Sequence, residues 1–423
     1  RDFLKQGALA GTAGFALSDA PAFSLSPPQD SHVRIGVIGT GGRGRSHLRG
    51  LLNRDDTEVP AICDIRQIAI DRAKEYYHER NLSMPEVYTG GDYAYRDMLA
   101  REDLDGVIVA TPWLWHAPMG VDAMKEGVRP GIEVPMATTI DECWDLVNAS
   151  EETGTGCMFL ENVCYRRDVM AVLNMVRQGI FGEIVHARCG YQHNLQDGKV
   201  GDEEGFHRED LENAPWRSVH SLKRNGDLYP THGVGPMAKC LDINRGNRFM
   251  TLSAMATKSR GLHDHAVDTY GADHPTTDFR WQQGDIVVSQ IECSNSETRI
   301  VSYDTNLPRP YSLNFRVQGT RGLWQVDGNT IYLKDRSPEH DEWEPFEKYQ
   351  KEYEHPLWQR YYAQAEGSGH GGMDWYVRNA FVESIKRGEH PPVDVYDGAA
   401  WSVIGPLSEE SVAEGGTPVQ FPD

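Results

Sequence analysis

The chain has 423 residues, too long for one compact domain, so two are expected. Its 39% hydrophobic content belongs to a folded protein, while 63 acidic against 42 basic side chains give a net charge of −21. That balance excludes binding to nucleic acid or to an anionic membrane through a basic surface, because phosphate contacts need clustered Lys and Arg. Seven scattered cysteines without a C-x-x-C pair indicate neither a zinc site nor a disulfide framework, and leave room for one disulfide.

In chain order, Arg1-Asp2-Phe3-Leu4-Lys5 and the Gly- and Ala-rich run Gly7–Leu17 read as the tail of a twin-arginine export signal. Ala20-Pro21-Ala22 offers an A-x-A cleavage site, and the apolar run is shorter than the ~20 residues of a bilayer span. Residues 1–32 are therefore expected to be signal and linker, with export to a bacterial-type periplasm. Next comes the most informative stretch, an apolar strand Val33–Ile38 running into Gly39-Thr40-Gly41-Gly42-Arg43-Gly44 and a helix to Leu52. Gly39, Gly41 and Gly44 are spaced as G-x-G-x-x-G, for the tight turn, close backbone approach to a pyrophosphate and helix-on-strand packing. The helix N-terminus, with Gly42 and Arg43, offers free N–H groups to phosphates. A second apolar run, Val59–Cys63, ends in Asp64, about ~20 residues on, where a carboxylate grips a ribose 2′-hydroxyl and repels a 2′-phosphate. NAD is the expected cofactor.

Strands then alternate with helices. A helix over Gln67–Glu79, a strand over Leu104–Ala110 closed by Thr111-Pro112, and a helix over Ala117–Glu126 come first. A strand over Gly131–Pro135, a helix over Ile140–Glu152 and a strand over Cys157–Asn162 follow. This is the pattern of a doubly wound parallel sheet, whose ligands bind at the carboxyl ends of the strands. A Rossmann domain is expected over residues 33–165. After a helix over Val169–Gln178, strands follow one another at Gly182–Arg188, Phe249–Ala256, Asp285–Cys293, Thr298–Tyr303, Ser312–Gln318, Leu323–Val326 and Thr330–Leu333. Asp374–Lys386 and Ala399–Glu414 read as closing helices. Residues 166–423 are thus expected to form an α+β domain on an open, mainly antiparallel sheet. Gln196–Asn213 and Thr257–Gly284 are polar and read as loops, so His263-Asp264-His265 reads as solvated surface and no metal site is expected.

Several of these motifs together resemble the Gfo/Idh/MocA oxidoreductase superfamily: the glycine loop, the Thr111-Pro112 strand end, and Glu133-Val134-Pro135 before an α+β domain. Thr111-Pro112-Trp113…His116, Leu160-Glu161-Asn162, Lys223-Arg224-Asn225-Gly226, Tyr229-Pro230-Thr231-His232-Gly233 and His370-Gly371-Gly372-Met373-Asp374 narrow it. They are similar to glycoside hydrolase family 109, typified by NAD-dependent α-N-acetylgalactosaminidases, from about Val33 to the C-terminus. Many superfamily members carry a proton-relaying lysine within Glu-x-Pro; Val134 cannot move a proton, which disfavours a lysine-using sugar dehydrogenase.

The resemblance implies an exception to two-carboxylate glycosidase chemistry. The sugar is oxidised at C3, loses its C2 proton, eliminates the C1 substituent, adds water and is reduced again, with NAD recycled in the site. It implies Tyr229 and His232 as proton relays, with His116 as a cofactor contact or catalytic residue. The cofactor would meet the glycine loop, Asp64, Trp113, His116, Glu133, Val134, Asn162 and Tyr229. The sugar would meet Tyr191, Arg217, Tyr229, His232 and Tyr311, and His370 would line the site. A net oxidoreductase releasing a 3-keto sugar, and a sugar-binding protein with structural NAD, are the other readings. An apolar sheet face needs a cover, so a homodimer through the open sheet is expected, and a monomeric mass by light scattering would contradict it.

Overall fold

The computed structural model describes residues 32–101, 103–201 and 215–422. The export-signal stretch and residues 202–213 of the first polar segment lie outside the described residues. Among the described residues, no helix is long and apolar enough to cross a membrane.

The first layer is an all-parallel sheet of β1 (Val33–Ile38), β2 (Thr57–Glu58), β3 (Ala61–Cys63), β4 (Glu86–Tyr88), β5 (Gly106–Val109), β6 (Arg129–Ile132) and β7 (Met158–Phe159). Its order is β4-β3-β1-β5-β6-β7, with β2 paired to β1. Val37 lies in register with Ile62 on one side and Ile108 on the other, three apolar residues in a row, as a sheet buried on both faces requires. The order reverses direction at β1, so the crevice beyond its carboxyl end is the switch point where ligands bind.

The second layer contains β8 (Ile184–Gln192), β9 (Phe249–Ala256), β10 (Ile286–Cys293), β11 (Thr298–Asp304), β12 (Arg316–Gly319), β13 (Gly322–Gln325), β14 (Thr330–Leu333), β15 (Glu344–Pro345) and β16 (Val419–Gln420). All pairs are antiparallel except β8 with β11, which sets Tyr191 beside Tyr303. One face packs on helices. On the other, Val288 and Met255 are paired across β10 and β9 and are exposed. The helix Thr231–Cys240 crosses β8 closely: a Cβ on Gly233 would lie 2.6 Å from the Gly190 nitrogen. That approach brings His232 and Tyr229 up to Tyr191.

The two layers share one core. A single buried cluster runs from Ile35 and Val37 through Phe159 to Val287 and Val301. The helix Met373–Arg387, late in the chain, returns to the first layer, where Lys386 Nζ meets Asp56 at 2.9 Å and Arg129 donates to the Ser384 carbonyl at 2.9 Å. All seven cysteines are buried free thiols, so the one disulfide the sequence left room for is not formed.

Four expectations change. Gln196–Asn213 is not a loop throughout, since it opens with a short helix at Gln196–Val200. Thr257–Gly284 is not a loop throughout, since it carries a helix at Gly261–Tyr270. Leu262 and Ala266, four residues apart on that helix, bury one stripe beside Phe279 and Trp281. His263 and His265 sit on this helix and pair with Asp264 and Asp197. Ala399–Glu414 contains parts of two helices, Val395–Ser402 and Ile404–Ala413, which meet at Val403. Ser312 only bridges to Gln192, and its strand begins at Arg316.

Candidate active site

The glycine loop takes the shape its spacing demands. Gly39 has φ +84°, and a Cβ on Gly44 would sit 1.7 Å from the Gly39 oxygen, so only glycine lets the helix Gly42–Leu51 dock on β1. Gly41 caps that helix with no side chain bonded to its first N–H groups, and nothing lies within 4 Å of the place a Gly42 Cβ would take. Donors and open space together fit a diphosphate. Asp64, at the end of β3, also fastens this loop: Oδ2 accepts from Thr40 N at 2.7 Å and Oδ1 from Arg66 N at 2.9 Å. Ile65 and Leu114, which follow β3 and β5, are large apolar side chains left exposed.

Across the switch point the other strand ends are tied together by charge. Glu133 follows β6 and is buried, accepting from Arg43 Nε at 2.6 Å and facing His47 Nε2 at 2.6 Å. Burial opposes its ionisation, but the Arg43 charge and His47 outweigh that and hold its carboxyl well below the usual carboxylate range. Val134 beside it is buried and supplies only apolar surface. Asn162, after β7, donates to Asp374 Oδ1 at 2.8 Å, and its own buried Oδ1 has no protein partner. An orphaned buried acceptor at this position fits the amide of a nicotinamide.

His116 faces two backbone carbonyls. Its Nδ1 lies 2.7 Å from the Pro135 carbonyl and its Nε2 2.8 Å from the Thr111 carbonyl, in a fully buried ring. Burial lowers its pKa, and a neutral imidazole carries one N–H, so one of these nitrogens donates to its carbonyl at a strand end. Trp113 is likewise buried, its ring 4.8 Å from Trp216, 4.9 Å from His220 and 5.4 Å from Tyr229. It joins the cofactor loop to the second layer. Arg217 lies over the Trp216 ring at 4.2 Å.

The residues expected to relay protons meet beside this wall. His232 Nδ1 lies 2.7 Å from Oε1 of Glu161, which is fully buried and also accepts from Val163 N. A carboxylate only accepts, so Nδ1 carries the hydrogen and Nε2 keeps its lone pair. That nitrogen faces the Tyr229 hydroxyl at 3.4 Å. Tyr191 packs on both, with ring centres 4.6 Å from Tyr229 and 5.4 Å from His232, and its hydroxyl reaches His193 Nδ1 at 3.1 Å. Burial pushes the Tyr191 hydroxyl up to about 12 and Tyr229 well above its usual value, so both stay protonated at neutral pH. Tyr311 closes the rim, half exposed, its ring 5.0 Å from His193. The structure thus groups Tyr191, Tyr229, His232 and Tyr311. Glu161 carries no expected role from sequence, although it stands at a strand end and within the Leu160-Glu161-Asn162 motif.

Residues 33–160 match a family model described as an oxidoreductase family with an NAD-binding Rossmann fold, and residues 165–423 match the C-terminal domain of glycosyl hydrolase 109. The chain belongs to glycosyl hydrolase family 109. A Tannerella forsythia protein named alpha-N-acetylgalactosaminidase is 47% identical, covering 100% of this chain and 96% of that protein. A family 109 protein of Parabacteroides distasonis is 48% identical over the same shares. Among solved structures, an NAD binding oxidoreductase from Klebsiella pneumoniae has a TM-score of 0.68 at 17% identity, over 93% of this chain and 99% of that one. Levoglucosan dehydrogenase with NADH and levoglucosan has a TM-score of 0.67 at 18% identity, over 93% and 100%. These two share the fold, and the chain is a glycosidase by family with an NAD-binding domain.

His220, wedged against Trp113, carries a pH signature. Burial, then the Arg224 and Arg217 charges, push its pKa down to about 4. An unfolded imidazole titrates near ~6.5. As pH falls from there towards 4, the unfolded chain takes a proton that folded His220 refuses, and stability is lost. His220→Gln should therefore show a shallower fall of Tm over that window than the parent protein; an identical slope in thermal melts would contradict the assignment.

Proposed function

We propose that this glycosidase hydrolyses N-acetylgalactosaminides or related glycosides through a ketone at C3 of the sugar. Oxidation at C3 acidifies the C2 proton; its removal expels the C1 substituent, water adds at C1, and C3 is reduced. When bound, NAD supplies the hydride acceptor and donor for C3 and ends each turnover in its starting state. The observation that carries this reading is the Glu161–His232–Tyr229 file, which begins at the strand end next to Asn162.

In that file, His232 Nε2 takes up the sugar-ring proton and later returns it, while buried Glu161 stabilises the imidazolium that forms. Tyr191 and Tyr229, held protonated by burial, donate hydrogen bonds to developing negative charge on sugar oxygens. Arg217 and Tyr311 hold the ring from the rim. The glycine loop, Asp64 and Asn162 would hold the cofactor, and Arg43 and His47 fix Glu133 at the neighbouring strand end. The name of the Tannerella forsythia relative supports N-acetylgalactosamine as the sugar, and the export reading of residues 1–32 would place the substrate outside the cytoplasm.

The test uses purified protein without added cofactor, with p-nitrophenyl α- and β-N-acetylgalactosaminides in D2O. Nitrophenol release, deuterium at C2 of the freed sugar, and no stoichiometric NADH are expected. Release without deuterium at C2 would overturn the elimination route. NADH accumulating on free sugars without release would instead make the protein a net dehydrogenase.

A further inference from the structure

Asp374 belongs to no proton-relay group, yet it is fully buried in the first turn of the helix Met373–Arg387 and lies among the strand ends of the first layer. Its hydrogen-bond and ion-pair partners are side chains. Oδ1 accepts from Asn162 Nδ2 at 2.8 Å and lies 2.9 Å from Arg43, while Oδ2 meets His370 Nδ1 at 2.8 Å. The segment that delivers it is unusual. Gly369, His370, Gly371 and Gly372 all have left-handed backbones, with φ of 99°, 44°, 65° and 98°. A left-handed non-glycine residue is uncommon and marks a conformation imposed by its surroundings. A Cβ on Gly369 would sit 2.8 Å from Asp374 Oδ2, so the turn closes directly around this carboxylate.

The chemistry of the pair settles which way Asn162 points. A carboxylate can only accept, so the amide nitrogen must face Asp374 and the amide oxygen must face away. That oxygen is the buried one without a protein partner. With no Asp374, either end of the amide could point outward. An outward nitrogen would set donor against donor when it met another amide NH2.

We propose that Asp374 is a positioning residue for the nicotinamide end of the cofactor: it locks the Asn162 amide with its oxygen outward, presenting an acceptor to the nicotinamide carboxamide NH2. Arg43 and His370 hold the carboxylate in place for that purpose, which joins the late His-Gly-Gly turn to the cofactor site. The proposal rests on the NAD reading and deepens it.

ADP-ribose separates this role from a merely structural one, because it keeps the adenosine and diphosphate and lacks the nicotinamide. Asp374→Asn is to be compared with the parent protein by equilibrium dialysis against labelled NAD and labelled ADP-ribose. Loss of NAD affinity by about tenfold is expected, the size of one hydrogen bond between two amides, with ADP-ribose affinity unchanged. In an Asn162→Ala background the same substitution should no longer change NAD affinity. Equal weakening of both nucleotides, or an effect that persists without Asn162, would overturn the proposal. Should Asp374→Asn fail to fold, Asn162→Ala alone must show the selective loss of NAD, and its absence is equally fatal. A parent protein that binds neither nucleotide overturns the cofactor reading together with the proposal.

Discussion

The hydrogen bond between His232 and Glu161 is the contact on which the account depends. It joins residues 71 positions apart and spans the two layers of the molecule. Glu161 stands just past β7 of the parallel sheet; His232 rides on the helix that crosses β8 at Gly190. Because the carboxylate fixes the hydrogen on Nδ1, the basic lone pair of Nε2 is turned towards Tyr229 and the ring cluster. One residue further on, Asn162 donates to Asp374. In the proposed reaction these two adjacent positions would hold a base and a dinucleotide.

Burial sorts the ionisable groups around this contact into two kinds. Glu133 and Asp374 are buried but paired with cations, and stay charged. Tyr191 and Tyr229 are buried without a cation bonded to their hydroxyls, and stay neutral. Arg43 is the shared cation of this group, pairing with both Glu133 and Asp374.

What was legible in the sequence follows from the range of the interactions involved. The glycine loop was legible because its geometry is local: Gly39 needs a left-handed backbone, and Gly44 cannot carry a side chain against the Gly39 oxygen. The alternation of strands and helices up to Asn162, and the later run of strands, were legible for the same reason. Glu161 was not, since nothing near it in the chain says that it meets His232, and Asp374 lies 212 positions from its partner Asn162. His116 illustrates the converse. Its place after the Thr111-Pro112 turn is local, but its meeting with the Pro135 carbonyl depends on a segment 19 residues on, past β6. The helix Gly261–Tyr270 escaped because its apolar stripe is only Leu262 and Ala266 within a polar run.

In the proposed reaction, Glu161 makes His232 a base. Glu161→Gln keeps the side chain's shape and can still accept from Nδ1, but it removes the charge that stabilises the imidazolium. Steady-state kcat on an N-acetylgalactosaminide should fall by at least about a hundredfold, with bound NAD content and Tm preserved. A kcat near that of the parent protein, with NAD retained, would show that the proton is moved elsewhere.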